Sequence, residues 1–254
     1  PADLAARLQM PDLPLRMTPR LARALGLFRT DARARRLLTS WLRKSNRYRH
    51  RIQQMLLAES LPASLVWLAA AESAFDPRAE SSVGAAGLWQ FMPDAGRSYG
   101  LRVDAWVDER RDPDRATLAA ARYLRDLRAR FGTWELAFAA YNMGYNALLR
   151  AIRKYNTNDF ETLASLEAGL PMETIHYVPR IMSFAIASLN PAAFDLDTAG
   201  ADPVVAWDDV ELSSSHTLAD IAREANVSET DLRALNPALL RTRFNASEIL
   251  VSLM

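Results

Sequence analysis

Up to residue 200 the apolar residues recur at helical spacing and nowhere alternate as strand residues do, a pattern that confines most of the chain to packed helices. Leu37, Leu38, Trp41 and Leu42 share one helical face, as do Tyr48, Ile52, Met55 and Leu56. Punctuation separates the segments. Thr18-Pro19 is an N-cap followed by proline at the first helical position, and Pro62 opens an alanine-rich helix over 66–71 that runs into Glu72-Ser73 and stops before Phe75-Asp76-Pro77. Asp112-Pro113 starts another, with Tyr123, Leu124, Leu127 and Phe131 on one face and Gly132 as its stop. Thr133 caps a helix ending near Tyr141-Asn142, and further helices are expected over 146–155, 159–167, 171–177 and 179–189.

Two stretches break this pattern. Residues 78–111 contain Gly84, Gly87, Pro93, Gly96 and Gly100 without a sustained period, which reads as a loop region with one short helix near 93–98. A loop that long inside a compact domain is usually functional. From Asp195 the chain reads as a linker, and after it a strand over 205–212, a helix over 217–225, a second helix from Ser228 with Asp231 at capping-box distance, and a strand at Ile249-Leu250-Val251 give a small βααβ unit. The expected organisation is an arginine-rich helical segment over 1–55 packing on a helical domain over 56–194, a linker over 195–209 and the small unit over 210–254.

Composition narrows the chemistry. The chain has no cysteine, which excludes a disulfide scaffold, a thiolate metal site and a cysteine nucleophile within it. His50, His176 and His216 form no pair at metal-ligand spacing, so no metal and no cofactor is expected. No apolar run reaches the ~18 residues of a spanning helix, and no charged-then-apolar leader precedes the body, so the expectation is a soluble, mature or trimmed chain. Residues 16–51 carry twelve Arg or Lys against Asp31 alone, whereas eleven acids face four arginines from Asp195 onward. The basic stretch invites a nucleic-acid reading, but its helices have an apolar face and 29 of the 31 basic residues of the whole chain are arginine. A solvated helix face is the better explanation, and nucleic acid is not an expected partner; attraction to an anionic envelope is the weaker functional option.

What remains is chemistry by carboxylates, amides and hydroxyls. Glu72 ends a helix of Trp67, Leu68 and alanines, where small neighbours let another segment approach and strip water from the carboxyl. Desolvation raises a carboxyl pKa, as a general acid at neutral pH requires. An isolated glutamate there would be read as a surface residue. It is not isolated: Glu72-Ser73-x-Phe75-x-Pro77 is followed by Gly84-Ala85-x-Gly87-Leu88-Trp89-Gln90-Phe91-Met92-Pro93 and then by Ala140-Tyr141-Asn142-x-Gly144.

In these motifs, over roughly residues 56–190, the chain resembles the lysozyme-like catalytic domain of the family 1 lytic transglycosylases, most of all the membrane-bound lytic murein transglycosylase D group. The resemblance implies a mainly α, lysozyme-like fold that cleaves the β-1,4 bond between N-acetylmuramic acid and N-acetylglucosamine of peptidoglycan without water, leaving a 1,6-anhydro-muramoyl end. It carries the catalytic acid/base onto Glu72, the glycine-leucine-x-glutamine motif onto Gly87-Leu88-Trp89-Gln90, the alanine-tyrosine-asparagine motif onto Ala140-Tyr141-Asn142 and a further tyrosine onto Tyr177.

Glycoside cleavage normally takes two carboxyl groups, and only one is obvious here, Asp76 beside Pro77 reading as a turn former. In the mechanism the family implies, Glu72 protonates the bridging oxygen, the muramoyl 2-acetamido carbonyl supports the charge at C1, and the Glu72 carboxylate then takes the proton of the C6 hydroxyl as it closes on C1. Gln90 and Asn142 can donate to and accept from sugar groups without adding charge; Tyr141 and Tyr177 offer a ring and a hydroxyl; Ser73 can hold substrate or Glu72. Each also has an ordinary reading: Tyr141 as a core aromatic, Asn142 as a helix C-cap, Gln90 as an amide that fixes the loop. Trp89, Phe91 and Met92 read equally as cleft lining or core closure.

Residues 210–254 resemble a LysM module through Thr217-Leu218-Ala219-Asp220-Ile221-Ala222, Val227-Ser228, Leu232 and Leu235-Asn236-Pro237. They depart from it at Ser215-His216 and near Ala246-Ser247, so both a glycan-binding module and a structural cap on the catalytic domain stay open. The resemblance as a whole implies peptidoglycan glycan strands as partner, a monomer, a periplasmic or envelope location, and peripheral membrane association through a lipid anchor upstream. A goose-type lysozyme activity, in which water attacks, and a catalytically idle peptidoglycan-binding scaffold are the alternatives.

Overall fold

A computed structural model describes residues 7–211, 216–244 and 250–253, so Ser215, Ala246, Ser247 and Ile249 of the readings above lie outside the described residues. The caps act where the sequence places them. The Thr18 side chain accepts from Leu21 N at the start of α1 (Pro19–Thr30), and Asp31 ends that helix while accepting from Arg33 N and Ala34 N to start α2 (Ala32–Ser45). With α3 (Arg49–Ala58) these helices bury Leu21, Leu25, Phe28, Leu38, Leu42, Ile52 and Leu56, all within one continuous core that extends to Trp207.

A 3-10 turn at Ala63–Leu65, whose Ala63 and Ser64 amides donate to the Asp12 carboxylate, leads into α4 (Val66–Ser73). Residues Val66, Trp67, Leu68, Ala69 and Ala70 of α4 are buried, so this helix has no solvent face over its first turn and sits at the centre. After α5 (Pro93–Ser98) come α6 (Pro113–Phe131), capped by Asp112 and closed by Gly132 in the left-handed region, α7 (Trp134–Met143), capped by Thr133, α8 (Tyr145–Tyr155) and α9 (Phe160–Ser165), capped by Asp159.

The expected pair of helices at 171–177 and 179–189 is instead one, α10 (Met172–Leu189), with Pro179 inside it. Proline normally breaks a helix at about 3 kcal/mol. Here Ile175, Val178, Pro179, Ile181, Met182 and Ala185 form one uninterrupted buried face, and that burial outweighs the hydrogen bond the proline lacks. α10 packs against α1, α4 and α7 and so touches both the N-terminal helices and the helix that carries Glu72.

At the C-terminal end β1 (Asp208–Glu211) pairs antiparallel with β4 (Leu250–Leu253), and β2 (His216–Thr217) with β3 (Arg243–Phe244). Between them lie α11 (Leu218–Glu224) and α12 (Glu229–Leu235). The reciprocal capping box is at Thr217 and Asp220; at Ser228 the hydroxyl accepts from Asp231 N and donates to the Asp231 carboxylate. Leu218, Ile221, Leu232, Leu239 and Val251 form a second, smaller apolar cluster, and Val107 from the long loop is buried in it. Among the described residues no helix is long and apolar enough to cross a membrane.

Candidate active site

Glu72 occupies the last turn of α4, where the helix leaves the core. Immediately after Ser73 the backbone turns through two consecutive left-handed residues, Ala74 (φ 54) and Phe75 (φ 61), neither of them glycine. Such conformations cost about 1–3 kcal/mol each and persist only where the surroundings impose them. Phe75, buried edge-on against Trp67 at 6.0 Å, supplies that imposition. The result is an abrupt end to α4 that leaves Glu72 half-buried at the wall of the long loop.

Burial pushes the Glu72 carboxyl up to about 7. A hydrogen bond donated by the Tyr177 hydroxyl to Oε1 and the charge of Arg180 oppose that rise, and Glu173 adds to it. Tyr177 is itself buried in α10, and burial together with the neighbouring Glu72 holds its phenol well above the ordinary range, so it remains a donor. Arg180, one turn further along α10, lies 5.7 Å from the centre of the Tyr177 ring.

The loop facing Glu72 is held from behind by Arg110. Its guanidinium makes a bidentate pair with Asp108 (2.8 and 2.8 Å) and donates from Nη1 to the carbonyls of Gly84 (2.6 Å) and Phe91 (2.9 Å), which close the two ends of residues 84–91. The Arg110 and Asp108 side chains are 7% and 6% exposed, so the pair is shielded from competing water. At Gly87 (φ +82) a Cβ would stand 1.7 Å from the Arg110 carbonyl oxygen, so no other residue fits the path the loop takes.

The front of the loop is fastened to the helices by two of the sequence-predicted residues. Ser73 Oγ donates to the Leu88 carbonyl at 2.9 Å and the Tyr141 hydroxyl to the Trp89 carbonyl at 2.7 Å. Tyr141 is packed against Tyr123 (5.1 Å between rings), and burial together with the Glu72 charge raises its phenol well above the ordinary range. The Gln90 amide donates to Ala79 O (3.2 Å) and Gly87 O (2.9 Å), fixing the turn in which Gln90 itself is left-handed. Trp89 is wholly buried with its indole N–H on Thr117 Oγ1 (3.0 Å), and Phe91 is buried against Tyr99, Tyr123 and Tyr141, so both belong to core closure; Met92 is exposed.

Asn142 bridges α7 and α10, accepting from Thr174 Oγ1 at 2.7 Å and donating to Glu173 Oε1 at 3.4 Å. Of the residues singled out in the sequence, Tyr177 touches Glu72 directly and Tyr141 feels its charge; Ser73, Gln90 and Asn142 make their hydrogen bonds to loop backbone or to α10. Three groups outside the candidate site residues act on the site: Arg110 behind the loop, and Glu173 and Arg180 beside Glu72. Spacing held a signal for the last two, since 173, 177 and 180 fall on one face of a helix. Among the described residues no three His, Asp or Glu side chains gather as a metal site would need.

Residues 51–164 match the Transglycosylase SLT domain family. The chain is 34% identical over 205 residues to the Membrane-bound lytic murein transglycosylase D of Escherichia coli (strain K12), covering 79% of this chain and 44% of that protein. It is 34% identical over 132 residues to a peptidoglycan transglycosylase of Escherichia phage T7, covering 51% of this chain and 9% of that one. The crystal structure of the 70 kDa soluble lytic transglycosylase of Escherichia coli aligns with a TM-score of 0.47 at 21% identity, over 61% of this chain and 26% of that chain. This chain thus spans less than half the length of the curated transglycosylase D it matches.

Proposed function

We infer, from the transglycosylase SLT domain that this chain carries over residues 51–164, that the protein is a peptidoglycan lytic transglycosylase, a lyase that cleaves the β-1,4 bond after N-acetylmuramic acid and closes a 1,6-anhydro ring. The observation that carries this reading is Glu72: one half-buried carboxyl, pushed up to about 7 and oriented by a phenol that stays protonated. At neutral pH such a group is divided between acid and base, and the reaction asks it to be each in turn.

The protonated carboxyl gives its proton to the bridging oxygen as the C1–O bond breaks, while the substrate's own acetamido carbonyl supports the positive charge at C1. The carboxylate left behind, stabilised by the Tyr177 hydroxyl and by Arg180, then removes the proton of the C6 hydroxyl as that oxygen bonds to C1. Glu72 ends protonated, ready for the next cycle. Ser73 and Tyr141 keep the loop of residues 84–91 at the distance a sugar needs, Gln90 offers its amide oxygen from that loop, and Asn142 presents an amide from α7. The substrate fixes the place of action at the cell envelope, and a lipid anchor upstream would hold a monomeric enzyme there.

A hydrolytic outcome on the same substrate is favoured by one observation. Glu173, close enough to raise Glu72 and held by Asn142, is a second carboxylate that could activate water. Mass spectrometry of digested peptidoglycan separates the two. Anhydro-muramoyl ends, lighter by one water than reducing ends, are the expected product, and reducing ends alone would establish the hydrolase. If neither the wild type nor Glu72→Gln clears peptidoglycan while both sediment with it, both enzyme readings are rejected in favour of a scaffold.

A further inference from the structure

The C-terminal unit is fastened to the long loop by backbone hydrogen bonds rather than by side chains alone. Leu240 N donates to Trp106 O (2.9 Å) and Asp108 N to Ala238 O (2.8 Å), on either side of an antiparallel bridge between Val107 and Leu239. The Arg241 guanidinium adds a bond to Ala105 O at 3.1 Å. Val107 is buried in the apolar cluster of the terminal unit and not in the main core. A segment inserted in this way moves with the unit that holds it.

The next residue after Val107 is Asp108, the partner of Arg110. From there the connections run without a gap to the catalytic carboxyl. Arg110 holds the carbonyls of Gly84 and Phe91, its own carbonyl sits against Gly87, and the enclosed Leu88 and Trp89 carbonyls are the acceptors for Ser73, adjacent to Glu72, and for Tyr141. Residues 84–91 contain no helix and only one isolated bridge pair of their own, so their shape depends on what grips them from outside.

We propose that the C-terminal unit is a brace for catalysis, which fixes the loop of residues 84–91 opposite Glu72 through Val107, Asp108 and the positioning residue Arg110. This rests on the transglycosylase reading for its assay but names a role for the unit different from glycan capture. A glycan-binding module contributes to KM; a brace contributes to kcat. Misplacing reacting groups by about 1 Å can cost up to a hundredfold in rate, so loosening the brace should lower kcat by about tenfold or more.

The test uses the whole chain with Val107→Ala/Leu239→Ala, two residues remote from the site, on soluble uncrosslinked glycan strands. The expected result is a kcat lowered about tenfold with KM within about twofold of wild type, and faster amide hydrogen exchange in residues 84–91 while α4 and α10 keep wild-type protection. Because the chain has no cysteine, Val107→Cys/Leu239→Cys supplies the rescue: cross-linked across the bridge, it should restore wild-type kcat and exchange even if the alanine pair unfolds the terminal unit. A raised KM at unchanged kcat, or a lowered kcat without faster exchange in residues 84–91, overturns the brace. A wild type that releases no anhydro-muramoyl product counts against the transglycosylase reading instead, and the brace is then judged on exchange alone.

Discussion

Replacing Glu72 by glutamine should abolish cleavage and, above neutral pH, make the protein more stable. In the unfolded chain the carboxyl titrates near its ordinary 4.5, whereas in the fold burial places it at about 7. Between those values the folded state keeps a proton the unfolded state has lost, so stability falls as pH rises through this window, and the penalty is complete above the folded value. At about 1.4 kcal/mol for each tenfold change in proton affinity, the full penalty is about 3 kcal/mol. The edge of the carboxyl that still meets solvent reduces it, and about 2 kcal/mol is the expected gain at pH 8.5.

Below pH 4.5 the carboxyl is protonated in both states, and glutamine, of nearly the same shape, can still accept from Tyr177. The gain should therefore vanish there. Thermal unfolding of wild type and Glu72→Gln at pH 4.5 and pH 8.5 reads the difference directly: about 4–8 °C in Tm at the higher pH and close to none at the lower, for a chain of this length. An equal shift at both pH values, or none at pH 8.5, would refute the reasoning, because it would mean that Glu72 does not carry a raised pKa. The same titration predicts that kcat/KM of the wild type declines about tenfold per pH unit above about 7, where the acid form is lost.

Tyr177→Phe removes the hydrogen bond that opposes the rise at Glu72, so the alkaline limb of kcat/KM should move to higher pH while kcat falls about tenfold to a hundredfold; an unmoved pH–rate profile would argue that Tyr177 does not touch Glu72 in solution. Gly87→Ala places a methyl group on the Arg110 carbonyl, and a loss of about 3 kcal/mol or a displaced loop is expected; wild-type melting together with wild-type lysis would contradict the close approach. Arg110→Met strips buried Asp108 of its bidentate partner and leaves it the longer pair with Arg111 at 3.5 Å, which should cost about 2–4 kcal/mol in chemical denaturation, and Arg110→Lys should recover little of it because one ammonium cannot replace the bidentate fork. A melting point within experimental error of wild type would show that the pair is replaceable.

How much of this could be read beforehand depends on the sequence distance over which each force acts. The caps at Thr18, Asp112 and Thr133 bind amides two or three residues away, and so their helices were legible from short windows. Glu72, by its local context alone, reads as a surface acid at the end of an apolar helix; the motifs that follow it, as far on as Asn142, are what single it out. Pro179 misled because its local rule is strong and the buried face that overrides it is a property of tertiary packing. Arg110 gave no signal at all: in the sequence it is one arginine among many in a loop, and its role lies in carbonyls 26 and 19 residues away.

The charge distribution makes the same point in reverse. Twelve basic residues over 16–51 and an acidic C-terminal stretch look like two surfaces, each in search of an external partner. In the fold, Arg43 pairs with Asp197 at 2.6 Å and Arg35 reaches Asp195 at 3.8 Å, while Arg51 grips Asp114 and lies 4.5 Å over the ring of Trp207. Arg16 and Arg20 meet Asp159 and Glu161 beside α9. Part of the basic excess is thus used inside the chain, on acids as far as 154 residues away for Arg43 and further for Arg35. Exposed pairs of this kind contribute little each, about 0–1 kcal/mol, but they lower the positive field that an external polyanion would meet. Charge arithmetic locates such residues along the chain; only the fold determines which of them still face outward, and hence what the surface can attract.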